Sequence, residues 1–214
     1  MPLDFLKLTL VTHRQAMPLA DYLDFIRACA LSGLTSVQLR EKQADDNSLL
    51  QLGREILAII RPLGIALIVN DNLELALALD ADGLHLGQSD GDPLRARALL
   101  GPDKYLGQSI DNPANLHLAN QLPLDYVGIG AIFKTRSKNN VSTVWGTDGL
   151  KSMTTLSRHP VIAIGGIDIS NARDIMLAGA QGIAAIEAFH AAADPGLATR
   201  QLRAIVDTGA SHHD

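Results

Sequence analysis

The sequence predicts a single-domain (β/α)8 barrel, an α/β fold in which parallel strands alternate with helices. Eight short apolar runs recur along the 214 residues, and segments with helical periodicity separate them. The runs are continuously apolar, which is typical of parallel strands that are covered on both faces. An open, doubly wound sheet is the alternative. The count of eight and the lack of a GxGxxG motif after the first run favour the barrel.

The predicted strands and helices follow one another in regular order. The strands are residues 6–12, 36–40, 66–70, 83–86, 105–109, 126–130, 161–164 and 182–186. The helices are residues 18–32, 48–61, 73–79, 93–100, 113–121, 148–157, 170–178 and 196–206. In the first helix Leu19, Leu23 and Ile26 recur on one face, as a helix packed on a sheet requires. Asp92 and Asn112 each precede a proline and are predicted to cap the helices that begin there.

Composition and charge indicate one globular domain over residues 1–207, with a frayed tail over 208–214. Hydrophobic residues make up 47% and charged residues 19%, which supplies a core and excludes a disordered chain. The net charge of -5 and the lack of a basic stripe speak against nucleic-acid and membrane partners. Cys29 is the single cysteine and the chain starts without a signal-peptide pattern, so the cytosol is the predicted compartment. The sequence is compatible with a homo-oligomer.

Polar side chains recur at every second residue where the second predicted strand ends. An extended segment places Gln38, Arg40 and Lys42 on one side. In a barrel this side faces the mouth, where the active sites of this fold lie. Two cations there would bind an anion, arginine as a fork and lysine as a mobile point charge. The alternative is a solvated strand end whose charge Glu41 neutralises.

Acidic residues follow the next two strands. Asn70 and Asp71 end the third strand, and Asp90 lies four residues beyond Leu86, the last residue of the fourth. Neighbouring parallel strands bring these side chains to the same edge of the barrel. Two carboxylates, with waters and substrate phosphates, make a usual Mg²⁺ site. The alternative for Asn70-Asp71 is a turn that caps a helix.

Hydroxyl groups and a third cation follow the fifth and sixth strands. Ser109 ends the fifth strand. Thr135, Ser137 and Lys138 follow the sixth, in a long polar loop of a kind that is usually functional or mobile. Lys138 is therefore a further candidate for binding phosphate.

Two candidate phosphate-binding turns follow the last two strands. Gly165-Gly166 follows the seventh strand, and Ile186-Glu187 ends the eighth. Loops at these places often hold a phosphate through backbone N–H groups, and a tight turn is the alternative. Together the strand ends predict two anion sites, and hence one substrate with a diphosphate and one with a monophosphate.

Six phrases resemble the thiamine-phosphate synthase family in order and approximate spacing. They are VQLREK, IVND, ADGLHLGQSD, DYVGIGAIFKTRSK, AIGGI and GIAAI, and the likeness spans essentially the whole chain. The resemblance implies a (β/α)8 transferase that joins hydroxymethylpyrimidine diphosphate to a thiazole phosphate. The products are thiamine phosphate and pyrophosphate, and Mg²⁺ is the implied cofactor. The implied reaction is a dissociative substitution, in which the bond to the diphosphate breaks early.

The resemblance also assigns roles to matching positions. Those that match pyrimidine-diphosphate contacts are Gln38, Arg40, Lys42, Asn70, Ser109 and Lys138. Those that match thiazole-phosphate contacts are Thr135, Ser137, Gly166, Ile186 and Glu187. Asp71 and Asp90 match the Mg²⁺ ligands. Arg40, Lys42 and Lys138 would act as the catalytic groups that stabilise the departing diphosphate.

Five positions depart from the family pattern. His13 stands where an aspartate is usual, Ala131 and Lys134 alter the phrase GPIFPT, and Ser137 keeps the hydroxyl of a threonine. Glu187 replaces a common serine, and its carboxylate would repel a phosphate. Either backbone N–H groups bind the phosphate while this side chain turns away, or Lys134 compensates the charge.

Two rival functions share the fold. A thiazole tautomerase carries a histidine two residues after the serine of strand five, but here Asp111 follows Ser109 at that spacing. A non-catalytic thiamine-phosphate sensor is the second rival, and the complete set of cations and carboxylates speaks against it. Within GLHLGQSDGD, His85 is predicted to point into the barrel near the pyrimidine, while Asp92 is structural.

Overall fold

A computed structural model describes residues 3–135 and 143–209. Within these ranges eight parallel strands form a closed barrel in chain order, which confirms the predicted single-domain (β/α)8 fold. The strands are β1 (Leu8–Val11), β2 (Ser36–Leu39), β3 (Ala66–Asn70), β4 (Gly83–Leu86), β5 (Tyr105–Ile110), β6 (Tyr126–Ile129), β7 (Val161–Ile164) and β8 (Gly182–Ala185). The barrel closes where Thr9 of β1 pairs with Ser36 of β2 on one side and with Ala184 of β8 on the other.

Helices of the described residues surround the barrel. They are α1 (Leu19–Leu31), α2 (Asp46–Ile60), α3 (Leu73–Ala78), α4 (Pro93–Leu100), α5 (Pro113–Ala119), α6 (Gly146–Leu156), α7 (Ala172–Leu177), α8 (Glu187–His190) and α9 (Pro195–Gly209). Short 3-10 turns cover Leu3–Leu6 and Arg61–Leu63. The two predicted caps are confirmed, because Asp92 accepts the Leu94 N–H at 2.9 Å and Asn112 accepts the Asn115 N–H at 2.9 Å.

Several elements differ from the sequence prediction. The first strand begins at Leu8 rather than at residue 6, because a 3-10 turn precedes it. Helix α7 begins at Ala172 rather than at residue 170, because Asp168 accepts the Ser170 N–H and holds these residues in a turn. The four-residue helix α8 was not predicted. Helix α9 spans Pro195–Gly209, where residues 196–206 were predicted.

Apolar side chains form two separate clusters. The outer cluster fills the space between strands and helices and contains the outward residues of each strand, such as Val37 and Leu39 of β2. The lumen cluster lies inside the barrel and consists of Phe5, Leu6, Val11, Ile68, Tyr126, Ile162, Ala184 and Ile186. Phe5 stacks on Tyr105 with ring centroids 3.7 Å apart and closes the end of the barrel that faces away from the strands' carboxyl termini. The opposite end is left for polar side chains.

Candidate active site

A cavity of about 830 Å³ opens at the carboxyl ends of the strands. Every predicted site residue in the described ranges lines it: Gln38, Arg40, Lys42, Asn70, Asp71, Asp90, Ser109, Thr135, Gly166, Ile186 and Glu187. Ser137 and Lys138 lie outside the described residues. The volume is that of a small-molecule site, which typically measures roughly 300–1,000 Å³.

Strand β2 delivers its polar residues to this cavity as the alternating pattern predicts. Gln38 is buried inside the barrel, and Arg40 and Lys42 follow it on the same side. The Arg40 N–H donates to Thr12 Oγ1 at 2.8 Å, which fixes the backbone just beyond the strand. Burial lowers the pKa of Arg40, and the carboxylates of Asp71 and Glu41 oppose this effect. The guanidinium is thus a partly desolvated cation, in which form it binds an anion strongly.

The Asp71 and Asp90 carboxyl groups lie within hydrogen-bonding reach of each other. Asp71 follows β3 with φ of 65°, and its N–H donates to His85 O at 2.8 Å. Asp90 accepts the Gly87 N–H at 2.9 Å. Burial and the neighbouring Asp90 raise the pKa of Asp71 to about 6, against the opposing effect of Arg40. Two carboxyl groups held this close lower each other's acidity and favour a shared cation.

The carboxylate pair agrees with the oxygen ligands that Mg²⁺ prefers. In the part of the chain that the structure describes, no group of three or more His, Cys, Asp or Glu side chains could hold a metal ion. A pair is sufficient for Mg²⁺, which keeps several waters and usually takes further oxygens from substrate phosphates.

A buried row of hydrogen bonds crosses the barrel below the cations. His85 Nδ1 pairs with the Tyr126 hydroxyl at 3.0 Å, and His85 Nε2 pairs with Ser109 Oγ at 2.9 Å. His85 therefore points into the barrel, as predicted. Tyr126 was missed by the sequence reasoning, although its place two residues before Gly128 gives it the inward phase of β6.

Gln88 is a second residue that the sequence reasoning missed. Its side-chain amide donates to Ser109 O at 2.6 Å and so ties the loop that carries Asp90 to the end of β5. The polar pattern GQSD after β4 is the sequence signal, but a single glutamine in a turn carries no partner information.

The far side of the cavity is formed by the turns after β7 and β8. Gly166 has φ of 66°, and Asn171 Nδ2 donates to its carbonyl oxygen at 2.9 Å. A β-carbon at Gly166 would lie 2.7 Å from Lys134 O, so glycine permits the close approach of the β6–α6 loop. Ile186 and Glu187 begin the short helix α8 beside this turn.

Cations, a carboxylate pair and a glycine turn surround one cavity at the catalytic face of the barrel. This arrangement defines the class of protein as an enzyme for small anionic substrates. Residues 8–189 match the family model described as thiamine monophosphate synthase. The chain belongs to the thiamine monophosphate synthase family.

Relatives support the same assignment. The chain is 52% identical to thiamine-phosphate synthase from Chlamydia caviae over 206 residues, which cover 96% of this chain and 97% of the relative. It is 38% identical to thiamine-phosphate synthase from Albidiferax ferrireducens over 205 residues, which cover 96% of this chain and 94% of the relative. The expectation of a transferase that acts as a thiamine-phosphate synthase is confirmed.

Solved structures agree with the fold. Thiamine phosphate pyrophosphorylase from Pyrococcus furiosus superposes with a TM-score of 0.86 at 32% identity, covering 96% of this chain and 98% of that one. A 3-hexulose-6-phosphate synthase superposes with a TM-score of 0.72 at 17% identity, covering 93% and 99%, and this likeness concerns the fold alone. No helix within residues 3–135 and 143–209 has the length and apolarity needed to cross a bilayer.

Proposed function

We propose that the chain joins hydroxymethylpyrimidine diphosphate to a thiazole phosphate in this cavity, by a dissociative substitution that Mg²⁺ assists. The observation that carries the proposal is the arrangement around one cavity: Arg40 and the Asp71–Asp90 pair on one side, and Gly166 with helix α8 on the other. Two anionic substrates can lie between these two groups with their rings over the barrel lumen.

The diphosphate lies against the cations of β2 in this proposal. Arg40 provides a forked donor and Lys42 a mobile ammonium, and both line the cavity. Lys138, outside the described residues, supplies a third cation by its match to the family. Asp71 and Asp90 would hold Mg²⁺, which when bound would supply positive charge that offsets the charge of the leaving diphosphate.

The pyrimidine lies deeper, among the polar groups of the lumen. Gln38 and Ser109 offer donors and acceptors to ring nitrogens and the exocyclic amine, and Asn70 lines the cavity at the end of β3. His85 is held by Tyr126 and Ser109, so its ring is oriented before substrate binds. The thiazole phosphate lies against the Gly166 turn, with Thr135, Ile186 and Glu187 around it. Ser137, outside the described residues, is assigned to this phosphate only by its match to the family.

The bond changes need no protein nucleophile. The carbon–oxygen bond to the diphosphate breaks, and pyrophosphate leaves with the electron pair. The lone pair of the thiazole nitrogen then forms a carbon–nitrogen bond to the methylene cation. The chain aligns the two rings and stabilises charge on the leaving group. Neither step transfers a proton.

Pyrophosphate release tests this function. Release from the wild-type chain is expected only when both substrates and Mg²⁺ are present. Thiazole isomerisation without diphosphate chemistry would favour a tautomerase, and binding of thiamine phosphate without release would favour a sensor. Either result would overturn the proposal.

Arg40→Gln tests the role of the leaving-group cations. Loss of one preorganised donor typically costs about 2.7–4 kcal/mol, so we expect kcat to fall by about 10²–10³-fold. Arg173→Gln is the matched control, because Arg173 is exposed on α7 outside the cavity. Equal turnover of the two variants would contradict the role. Lys138→Ala is likewise expected to lose mainly turnover.

A further inference from the structure

We propose that Tyr22 and His190 are positioning residues that set the place of helix α8, and thereby the thiazole-phosphate end of the cavity. The inference rests on the function proposed above. Helix α8 has four residues, and its first residue and Ile186 line the cavity. An isolated helix of this length is not stable in water, so tertiary contacts must determine its position.

Two side chains anchor α8 to the rest of the fold. Phe189 is fully buried in the outer cluster and supplies an apolar anchor without fixed direction. His190 supplies a directional one, since its Nε2 lies 3.1 Å from the Tyr22 hydroxyl of α1. Its ring packs on Phe25 with centroids 4.7 Å apart and on Tyr22 with centroids 5.8 Å apart.

Burial lowers the pKa of His190 and so favours its neutral ring, for which the hydrogen bonds have one consistent direction. Ile186 O can only accept, so His190 Nδ1, at 2.9 Å, carries the hydrogen. Nε2 then accepts from the Tyr22 hydroxyl. The Tyr22 oxygen in turn accepts the His13 N–H at 3.0 Å. The end of β1, helix α1 and the start of α8 are thus joined by a single directed row of hydrogen bonds.

This row of hydrogen bonds also extends to the diphosphate side of the cavity. Thr12 interacts with the Tyr22 hydroxyl and accepts the Arg40 N–H at 2.8 Å. Tyr22 is fully buried and touches no part of the cavity. Its effect on the reaction must therefore pass through the backbone of its neighbours, with Ile186 the nearest one on the thiazole side.

Three variants separate the contacts of this row. Tyr22→Phe keeps the ring and removes the hydroxyl. His190→Asn keeps a donor where Nδ1 meets Ile186 O and loses the acceptor for Tyr22. His190→Gln places an amide near Nε2 and can still pair with Tyr22. Tyr105→Phe is the control, because Tyr105 stacks on Phe5 at the closed end of the barrel.

Steady-state pyrophosphate release with each substrate varied is the measurement. We expect Tyr22→Phe and His190→Asn to raise KM for thiazole phosphate by about tenfold, equivalent to about 1.4 kcal/mol. We expect kcat and KM for the pyrimidine diphosphate to stay within about threefold, and His190→Gln to restore most of the thiazole-phosphate KM. Tyr105→Phe should match the wild type.

The outcomes distinguish this inference from the proposed function. A wild-type chain without two-substrate pyrophosphate release refutes the function itself. With that release intact, an unchanged thiazole-phosphate KM in Tyr22→Phe and His190→Asn refutes the positioning role. The role is also refuted if the KM values for thiazole phosphate and for the pyrimidine diphosphate rise equally, in proportion to the drop in melting temperature. Such a result would indicate that the whole fold is destabilised.

Discussion

At the scale of single residues, Gly87 controls the orientation of the carboxylate pair. A β-carbon at Gly87 would collide with Asp90 Oδ2, and its N–H donates to that same oxygen. Gly87→Ala should therefore turn Asp90 away from Asp71. We expect the Mg²⁺ concentration for half-maximal rate to rise about tenfold.

Gly91→Ala is the control for this prediction. It lies in the same loop, and a β-carbon there meets nothing within 4 Å. Its backbone φ of 134° makes alanine strained, so it reports loop strain without a collision at Asp90. An equal change in Mg²⁺ dependence in both variants would show that loop strain, not the lost carboxylate position, is responsible.

The carboxylate pair has a cost in stability when no metal is bound. The raised pKa of Asp71 means that ionising this group costs more free energy in the folded chain than in the unfolded chain, although the carboxylate still predominates at pH 7. In the absence of metal, Asp71→Asn should then raise the free energy of unfolding by on the order of 1 kcal/mol, after allowance for solvent screening. Melting temperature without Mg²⁺ at pH 7 would increase by about 2–4 °C.

The exposed Asp103 supplies the matched charge control. Asp103→Asn removes the same charge from the surface and should leave the melting temperature nearly unchanged. A gain in both variants would point to the overall negative charge rather than to the Asp71–Asp90 pair.

Residue-level prediction succeeded where side-chain direction follows from the local backbone. Gln38, Arg40 and Lys42 share the inward phase of one extended segment, which needs only a period of two. The contact of Tyr126 with His85 joins two strands that are not neighbours in the barrel. Such a contact depends on barrel closure and side-chain length, and a linear pattern contains neither.

At the scale of elements, the turn after β7 depends on its glycine. Gly166→Ala combines a left-handed φ of 66° with a collision against the β6–α6 loop at Phe133 and Lys134. We expect the thiazole-phosphate KM to rise about tenfold. We also expect a loss of stability beyond the roughly 1–2 kcal/mol of left-handed strain alone.

Gly64→Ala is the control that measures the cost of left-handed backbone strain without a collision. Gly64 has φ of 70° and open space where the β-carbon would stand. The two variants should differ in stability by the collision, and only Gly166→Ala should affect KM. Thermal unfolding and steady-state kinetics measure both, and equal stability losses would contradict the collision.

Most elements were predictable because their patterns are longer than one period. Strands of four to six residues and helices such as α2 show enough apolar repeats to be recognised. Helix α8 spans four residues, barely more than one helical turn. Its formation depends on Phe189 and His190 contacts with distant segments, so no local pattern could reveal it.

At the scale of the whole molecule, closure of the barrel depends on close backbone contact at β8. A β-carbon at Gly182 would collide with the carbonyl of Leu6, just before β1. Gly182→Ala should destabilise the fold by about 1–3 kcal/mol, the usual effect of overpacking. Chemical denaturation measures this loss, and a stability equal to that of the wild type would contradict the collision at the closure.

The fold class was predictable because eight buried runs and their spacing are global properties of the chain. The place of the site followed as well, since strand ends of one barrel must meet at one mouth. Sequence periodicity does not determine strand register and twist. These set how deep each site residue lies in the barrel mouth and whether Asp71 and Asp90 come into contact.

The separation of the lumen cluster from the outer cluster has a consequence for how this enzyme can diversify. The two clusters share no residues, so new side chains in the lumen can alter ligand preference without loosening the strand–helix interface. A combinatorial library at Ile68, Ile162 and Ala184 should contain more folded members than one of equal size at Val37, Leu67 and Leu106. New substrate ranges are therefore accessible to this barrel through a few positions around its axis.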